Sequence, residues 1–151
     1  MNRRELLIGT GALAMAAAVG RAEAQKKAAP DAKSGAMPHH HDNPYAPLVD
    51  AASDCLKRAD TCLQHCLTLL AGGDATMAAC AMTVRDTLAS SRALETLAAA
   101  ESKHVKAFAK AASDVSKDCE AECRKHQDKH QTCKDCAEAC ARLIAECAKV
   151  A

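Results

Sequence analysis

From Asp118 to Cys147 the chain reads DCEAECRKHQDKHQTCKDCAEACARLIAEC and holds six of the ten cysteines, at steps of 4, 10, 3, 4 and 7 residues. Steps of 3, 4 and 7 return a side chain to nearly the same side of an α-helix. At 100° per residue, Cys133, Cys136, Cys140 and Cys147 fall within about 60° of one another, and Cys119 and Cys123 form a matching stripe on the helix before. Thiols thus occupy the face that a helix bundle normally fills with Leu and Ile. That constrains both the fold, which must be helical there, and the chemistry, which points to soft metal ions.

The rest of the composition agrees with an all-α fold. Apolar residues make up 49% of the chain, yet it has one Tyr and one Phe and no Trp, so Ala, Leu and Cys supply most of that share. With charges interleaved throughout, this argues for helices over a sheet sandwich. Residues 1–24 carry three Arg and two Glu, so 17 basic and 17 acidic residues remain. A neutral domain nearly free of aromatics offers neither a phosphate-binding field nor a stacking platform, so nucleic acid is not an expected partner.

Residues 1–24 read as a targeting peptide. Arg3-Arg4 ahead of Leu6-Leu7 resembles a twin-arginine export signal, and Ala22-Glu23-Ala24 is a small-x-small cleavage site. An ordinary secretory leader is the alternative. The expected location is periplasmic, with cargo exported folded, so its thiols can be buried or metallated before meeting an oxidising compartment. The apolar run Leu6 to Val19 is short for a membrane span, and no later stretch is long enough, so no membrane association is expected after cleavage. Residues 25–46 read as a flexible arm. Its His39, His40 and His41 could bind metal weakly, against the plainer reading of a solvated linker.

Residues 47–151 are expected to form an antiparallel four-helix bundle with a cysteine-lined core. Helix one runs from Pro47 to Ala71, with Pro47 in its opening turn and Gly72-Gly73 closing it. Cys55, Cys62 and Cys66 lie within about 40° on its wheel. Asp74 caps helix two, which reaches Ala100 with Met77, Cys80, Val84, Leu88, Ser91 and Leu94 inward. No Gly or Pro lies between Asp74 and Cys147. The apolar pattern lapses at Glu101-Ser102-Lys103-His104, which sets the next break. Helix three spans Lys103 to His126, with Val105, Phe108, Ala112, Cys119 and Cys123 inward. A Thr132–Asp135 capping pair opens helix four, which runs to Val150. Counting from the links, eight thiols occupy roughly 6–16 Å of bundle depth at one end, while Cys55 and Cys147 share a deeper layer. The far end is an ordinary core of Leu94, Leu97, Val105 and Phe108.

Several chemistries compete for these thiols. Buried Cys can serve as a small hydrophobe, and an even count in an exported chain invites disulfides. Two Cys at i and i+4 on one helix are poorly placed for disulfide geometry, which leaves cross-helix pairs. Four-thiolate zinc sites usually gather CxxC pairs from turns, and here only Cys133 and Cys136 have that spacing. Ferredoxin-like clusters use compact loop-borne runs that this chain lacks. Cu(I) fits better: soft thiolates favour it, it accepts two or three ligands, and an i, i+4 pair can clamp one ion while helices share sulfurs. A ladder of such pairs becomes a multinuclear store whose ions offset the charge of buried thiolates. The expected ligands are Cys55, Cys62, Cys66, Cys80, Cys119, Cys123, Cys133, Cys136, Cys140 and Cys147.

The leader, Cys62-Leu63-Gln64-His65-Cys66, the Gly-Gly-Asp hairpin, Asp118-Cys119-Glu120-Ala121-Glu122-Cys123 and Cys133-x-x-Cys136-x-x-x-Cys140 together resemble the exported copper storage proteins. Those are cysteine-rich four-helix bundles that hold many Cu(I) ions on core thiolates. The resemblance covers nearly the whole chain and implies the fold, Cu(I) as ligand and self-association into a tetramer. Where such bundles continue their cysteine stripes, Thr87, Ser91, Ala112, Ser116 and Leu143 stand here, which implies a lower capacity. His65, Met77 and Met82 lie near the crowded end and could pass ions in or out; the plainer readings are Met as core filler and His as a hydrated helix residue. No nucleophile–base pair or paired-carboxylate constellation stands out, so no enzyme is expected. Two other readings stay open. One is thiol–disulfide exchange through Cys133, the candidate at a helix start; the other is a zinc-stabilised structural or adaptor bundle.

Overall fold

The computed structural model describes residues 42–150. The leader, most of the arm and the three consecutive histidines, His39, His40 and His41, lie outside the described residues. Four helices follow in order: α1 Ala46–Ala71, α2 Ala78–Ala99, α3 Val105–Arg124 and α4 Gln131–Ala148. Each packs against the next and α4 returns to α1, which closes an up-and-down antiparallel bundle.

Local chemistry explains where each helix starts and stops. Asn43 accepts the Tyr45 N–H through Oδ1 (2.7 Å) and donates from Nδ2 to the Ala98 carbonyl (3.0 Å). It thereby pins the entry to α1 against the end of α2, sharing the Ala98 carbonyl with the Glu101 N–H. At the other end of α1, Gly73 takes φ 94°, and the Asp74 N–H reaches back to the Leu69 carbonyl at 3.0 Å. That left-handed closure is one glycine accommodates without a Cβ penalty. Asp74 then accepts from the Thr76 N–H (3.1 Å) and Thr76 Oγ1 (2.6 Å), capping a 3-10 turn, Ala75–Met77, that leads into α2.

The break between α2 and α3 falls at Glu101 to His104, where the pattern lapses. With no glycine available, Glu101 itself takes the left-handed turn at φ 49°, and the Ser102 N–H closes back on the Leu97 carbonyl at 2.9 Å. Helix α3 starts at Val105 rather than Lys103 and ends at Arg124 rather than His126. Three expectations about side chains are corrected. Phe108 is 42% exposed, and Ala109 takes the inward position beside Val105, Ala112, Ser116, Cys119 and Cys123. The buried stripe of α3 there runs through Val105, Ala109 and Ala112, and Phe108 falls one position off it. Leu88 is only partly buried, because the neighbouring Thr87 faces the core instead.

The third correction is the capping pair. Helix α4 opens at Gln131 with His130 as its extended N-cap residue, so Thr132 already lies inside the first turn and its Oγ1 is buried without a partner. Asp135 instead accepts from Gln131 Nε2 at 2.6 Å and faces Arg58 at 3.4 Å. The carbonyl of His130 receives the Cys133 and Lys134 N–H groups, which starts the helix without a side-chain cap. On the surface, Asp54 meets Arg58 of its own helix and Arg142 of α4. Exposed pairs of this kind align helices more than they stabilise them. Among the described residues, no helix is long and apolar enough to cross a membrane.

Candidate metal centre

All ten cysteines are free thiols and fully buried. Register brings them together across helices. Cys62 of α1 meets Cys133 of α4 at 3.9 Å, and seven residues along both helices Cys55 meets Cys140 at 4.0 Å. Between α2 and α3, Cys80 meets Cys123 at 3.5 Å. Cys62 also touches Cys123 (4.0 Å), and Cys119 touches both Cys123 and Cys136 (3.9 Å each). Three sets have ligand atoms close enough to share an ion: Cys62, Cys66, Cys80 and Cys133; Cys62, Cys123 and Cys136; and Cys119, Cys136 and Cys140. Cys62 and Cys136 each belong to two sets, so eight sulfurs form one continuous string.

Those eight are the thiols whose depth along the bundle was expected to coincide. The expectation that Cys55 and Cys147 share one deeper layer is corrected for Cys55, which lies beside Cys140; Cys147 feels the charge of Cys55, and both stand outside the three sets. The reason is that hairpin links fix the register of α1 on α2 and of α3 on α4, whereas α1 on α4 is fixed only by side-chain packing. Beyond the string, Ser91 Oγ donates to Cys55 Sγ at 3.9 Å. Thr87 and Ser116 follow Cys80 and precede Cys123 by seven residues on facing helices, and both hydroxyls are buried without partners. The sulfur string therefore meets a hydroxyl layer.

The thiols differ in how their neighbours shift them. Cys136 is held below the ordinary thiol range, chiefly by Cys119, and Cys80 likewise, chiefly by Cys123. Cys133 is lowered by Cys62, and Cys55 by Cys140 with help from Ser91. The partners that keep their protons are raised: Cys62 by its bond with Cys123, Cys123 by Cys119, Cys140 by Cys119 and Cys66 by Cys133. Adjacent thiolates repel in a desolvated core, so neighbouring thiols are shifted in opposite directions. A cation entering the string displaces the retained protons. Cys147, which belongs to none of the three sets, is pushed up to about 11 by burial.

The other candidates scatter. Met77 is fully buried beneath the 3-10 turn, whereas Met82 is 58% exposed on the outside of α2. His65 is partly buried, with Nε2 3.0 Å from Nδ1 of His130 on the α3–α4 link. Neither His130 nor the Ser91–Cys55 contact stood out in the sequence, since both arise between segments far apart in the chain. Cys133, the redox candidate, is lowered but fully buried, so it presents no accessible nucleophile.

The family model for the copper storage proteins matches residues 41–151. The chain belongs to the copper storage protein family. The described helices all fall inside the matched region. Among solved structures, the fold is similar to apo copper storage protein 3 from Bacillus subtilis, at 24% identity and TM-score 0.62, over 70% of this chain and 97% of that one. It is equally similar to a Cu(I)-bound copper storage protein, BsCsp3, at 23% identity and TM-score 0.63, over 71% and 97%. No curated protein sequence matches closely enough to count as a relative.

Proposed function

We propose that this chain stores or buffers Cu(I), binding several ions on the thiolates of its bundle core. The observation that carries the reading is the sharing of Cys62 and Cys136 between sulfur sets. A single structural site needs one closed set of ligands, whereas a string with shared members gives adjoining ions common sulfurs. With metal–sulfur bonds of about 2.3 Å, three sulfurs around one ion lie about 4.0 Å apart. The observed contacts of 3.5–4.0 Å therefore ask for little rearrangement. Soft thiolates select Cu(I) over harder ions, and the family and the Cu(I)-bound neighbour support the same metal. The role is storage, not turnover. All ten cysteines are assigned as ligands, the eight of the string first, then Cys55 through Cys140, and Cys147 last.

The cellular setting belongs to the same proposal. The paired Arg3-Arg4 and the apolar run behind it support export through the twin-arginine route to the periplasm, and the resemblance to exported members supports a tetramer. His39, His40 and His41 of the arm are assigned no part in the store. The test is an anaerobic Cu(I) titration of the reduced chain against a chromophoric chelator, with circular dichroism alongside. Several equivalents retained with unchanged helicity are expected; one or none would overturn the store. One observation favours a second reading: Cys62, Cys66, Cys80 and Cys133 are four mutually close thiols, the number that structural zinc takes. That reading requires one zinc per chain and unfolding on chelation.

A further inference from the structure

At the end of the bundle where the thiols crowd, three elements place imidazoles and carboxylates together. His65 projects from α1, His126 and His130 come from the α3–α4 link, and Asp74 comes from the α1–α2 link. His65 Nε2 and His130 Nδ1 face each other at 3.0 Å, with ring centroids 4.8 Å apart and planes tilted by 59°. The rings are not stacked, so the two nitrogens converge on a shared point. In the empty chain that point holds one proton, donated by one ring and accepted by the other. Nε2 of His126 is shielded from solvent without a hydrogen-bond partner, with Glu122 Oε1 3.8 Å away. The Asp74 carboxyl, lowered chiefly by Thr76, also feels His130 and His126 nearby, so negative charge lies beside the rings.

We propose that His65 and His130 form a second metal site, separate from the thiol string, that takes a borderline divalent ion such as Zn2+. Distance sets the coordination geometry and donor type sets the class of ion. With metal–nitrogen bonds of about 2.0–2.1 Å, two imidazoles on a tetrahedral ion have nitrogens about 3.3 Å apart. The pair reaches that by opening roughly 0.3 Å. A linear two-coordinate ion would need the nitrogens about 4 Å apart, so the pair suits an ion that takes further ligands beside the two imidazoles. Imidazole also suits zinc and other borderline ions, while thiolates outcompete it for Cu(I). Among the described residues no third Cys, His, Asp or Glu atom lies within ligand range of both nitrogens. The ion therefore keeps open positions for water, which makes the site exchangeable rather than structural.

The site is tested by long-range 1H–15N spectra of the histidine rings in the full-length chain loaded with Cu(I), titrated with Zn2+. His65 Nε2 and His130 Nδ1 are expected to shift together to metal-bound positions at one equivalent, with the other nitrogen of each ring still protonated. His65→Gln should abolish the response of His130, and His130→Gln that of His65, each weakening Zn2+ at this site at least tenfold. His104→Gln should leave both responses in place, and circular dichroism checks that each variant folds. Zn2+ moving neither ring, or moving only the rings of His39, His40 and His41, would overturn the site. So would a response of His65 that survives in His130→Gln. If the chain takes up no Cu(I), the storage reading fails by itself; the same titration of the unloaded chain still decides the imidazole site, because the spectra report individual ring nitrogens.

Discussion

Cys136 is the sulfur through which the string either holds together or divides. It belongs to two ligand sets, with Cys62 and Cys123 in one and Cys119 and Cys140 in the other, and touches Cys119 at 3.9 Å. Cys136→Ser is therefore expected to lose more stored copper than Cys147→Ser, whose thiol belongs to no ligand set; chelator competition on the two reduced variants measures the difference. Equal losses would mean that the sulfurs act independently. Cys147 controls a different property. Its thiol titrates near 11 in the folded chain against an ordinary 9.0. The unfolded state therefore loses this proton first as pH rises, and folding is favoured below pH 9 and penalised between about 9 and 11. Urea unfolding of the metal-free chain should show a midpoint that falls across that window, and Cys147→Ala should flatten the fall.

The helix ends carry the next set of consequences. Gly73 holds φ 94° with open space where a Cβ would sit, so Gly73→Ala meets no clash and pays only the left-handed backbone cost. A loss of about 1–2 kcal/mol is expected from thermal unfolding of the metal-free chain. Asp74→Ala should lower the unfolding temperature through the lost cap on Thr76. Thr132 makes the opposite case. As a capping residue it would lose about 1 kcal/mol on truncation, but its hydroxyl is buried and unpartnered. Thr132→Val is thus expected to be neutral or stabilising, and a loss near 1 kcal/mol would restore the capping pair that the sequence suggests. The pattern is general: helix α1 ends where its glycines say it does, because that signal is local. Helix α4 begins where His130 is held against His65, a contact between residues 65 apart in sequence.

For the whole molecule, the core is closed. All ten sulfurs are buried, and Leu48, Val84, Leu94, Val105 and Leu143 extend the same core with apolar side chains that need no ligand. The empty chain is expected to stay helical by circular dichroism. Copper that binds the folded state alone should raise the unfolding temperature progressively with each equivalent. A chain that unfolds when its metal is removed would point to the four-thiol zinc reading. The exposed Leu67, Met82 and Phe108 lie outside this core. Light scattering of the full-length chain, with and without Cu(I), checks the proposed tetramer.

Helix number, the thiol stripes, the break at Glu101 to His104 and the soft-metal chemistry were all legible in the amino-acid order. Each depends on spacing within one helix or on a turn signal a few residues long. The eight crowded thiols were also recoverable, because hairpin links carry depth information from one helix to the next. What the order of residues could not supply is the register between helices not joined by a link. That register puts Cys55 beside Cys140, joins Cys62 to Cys133 and brings His65 to His130. These contacts are decided by how side chains of different volume fill the layers of a closed bundle. That is a property of all four helices at once, written in no single stretch of sequence.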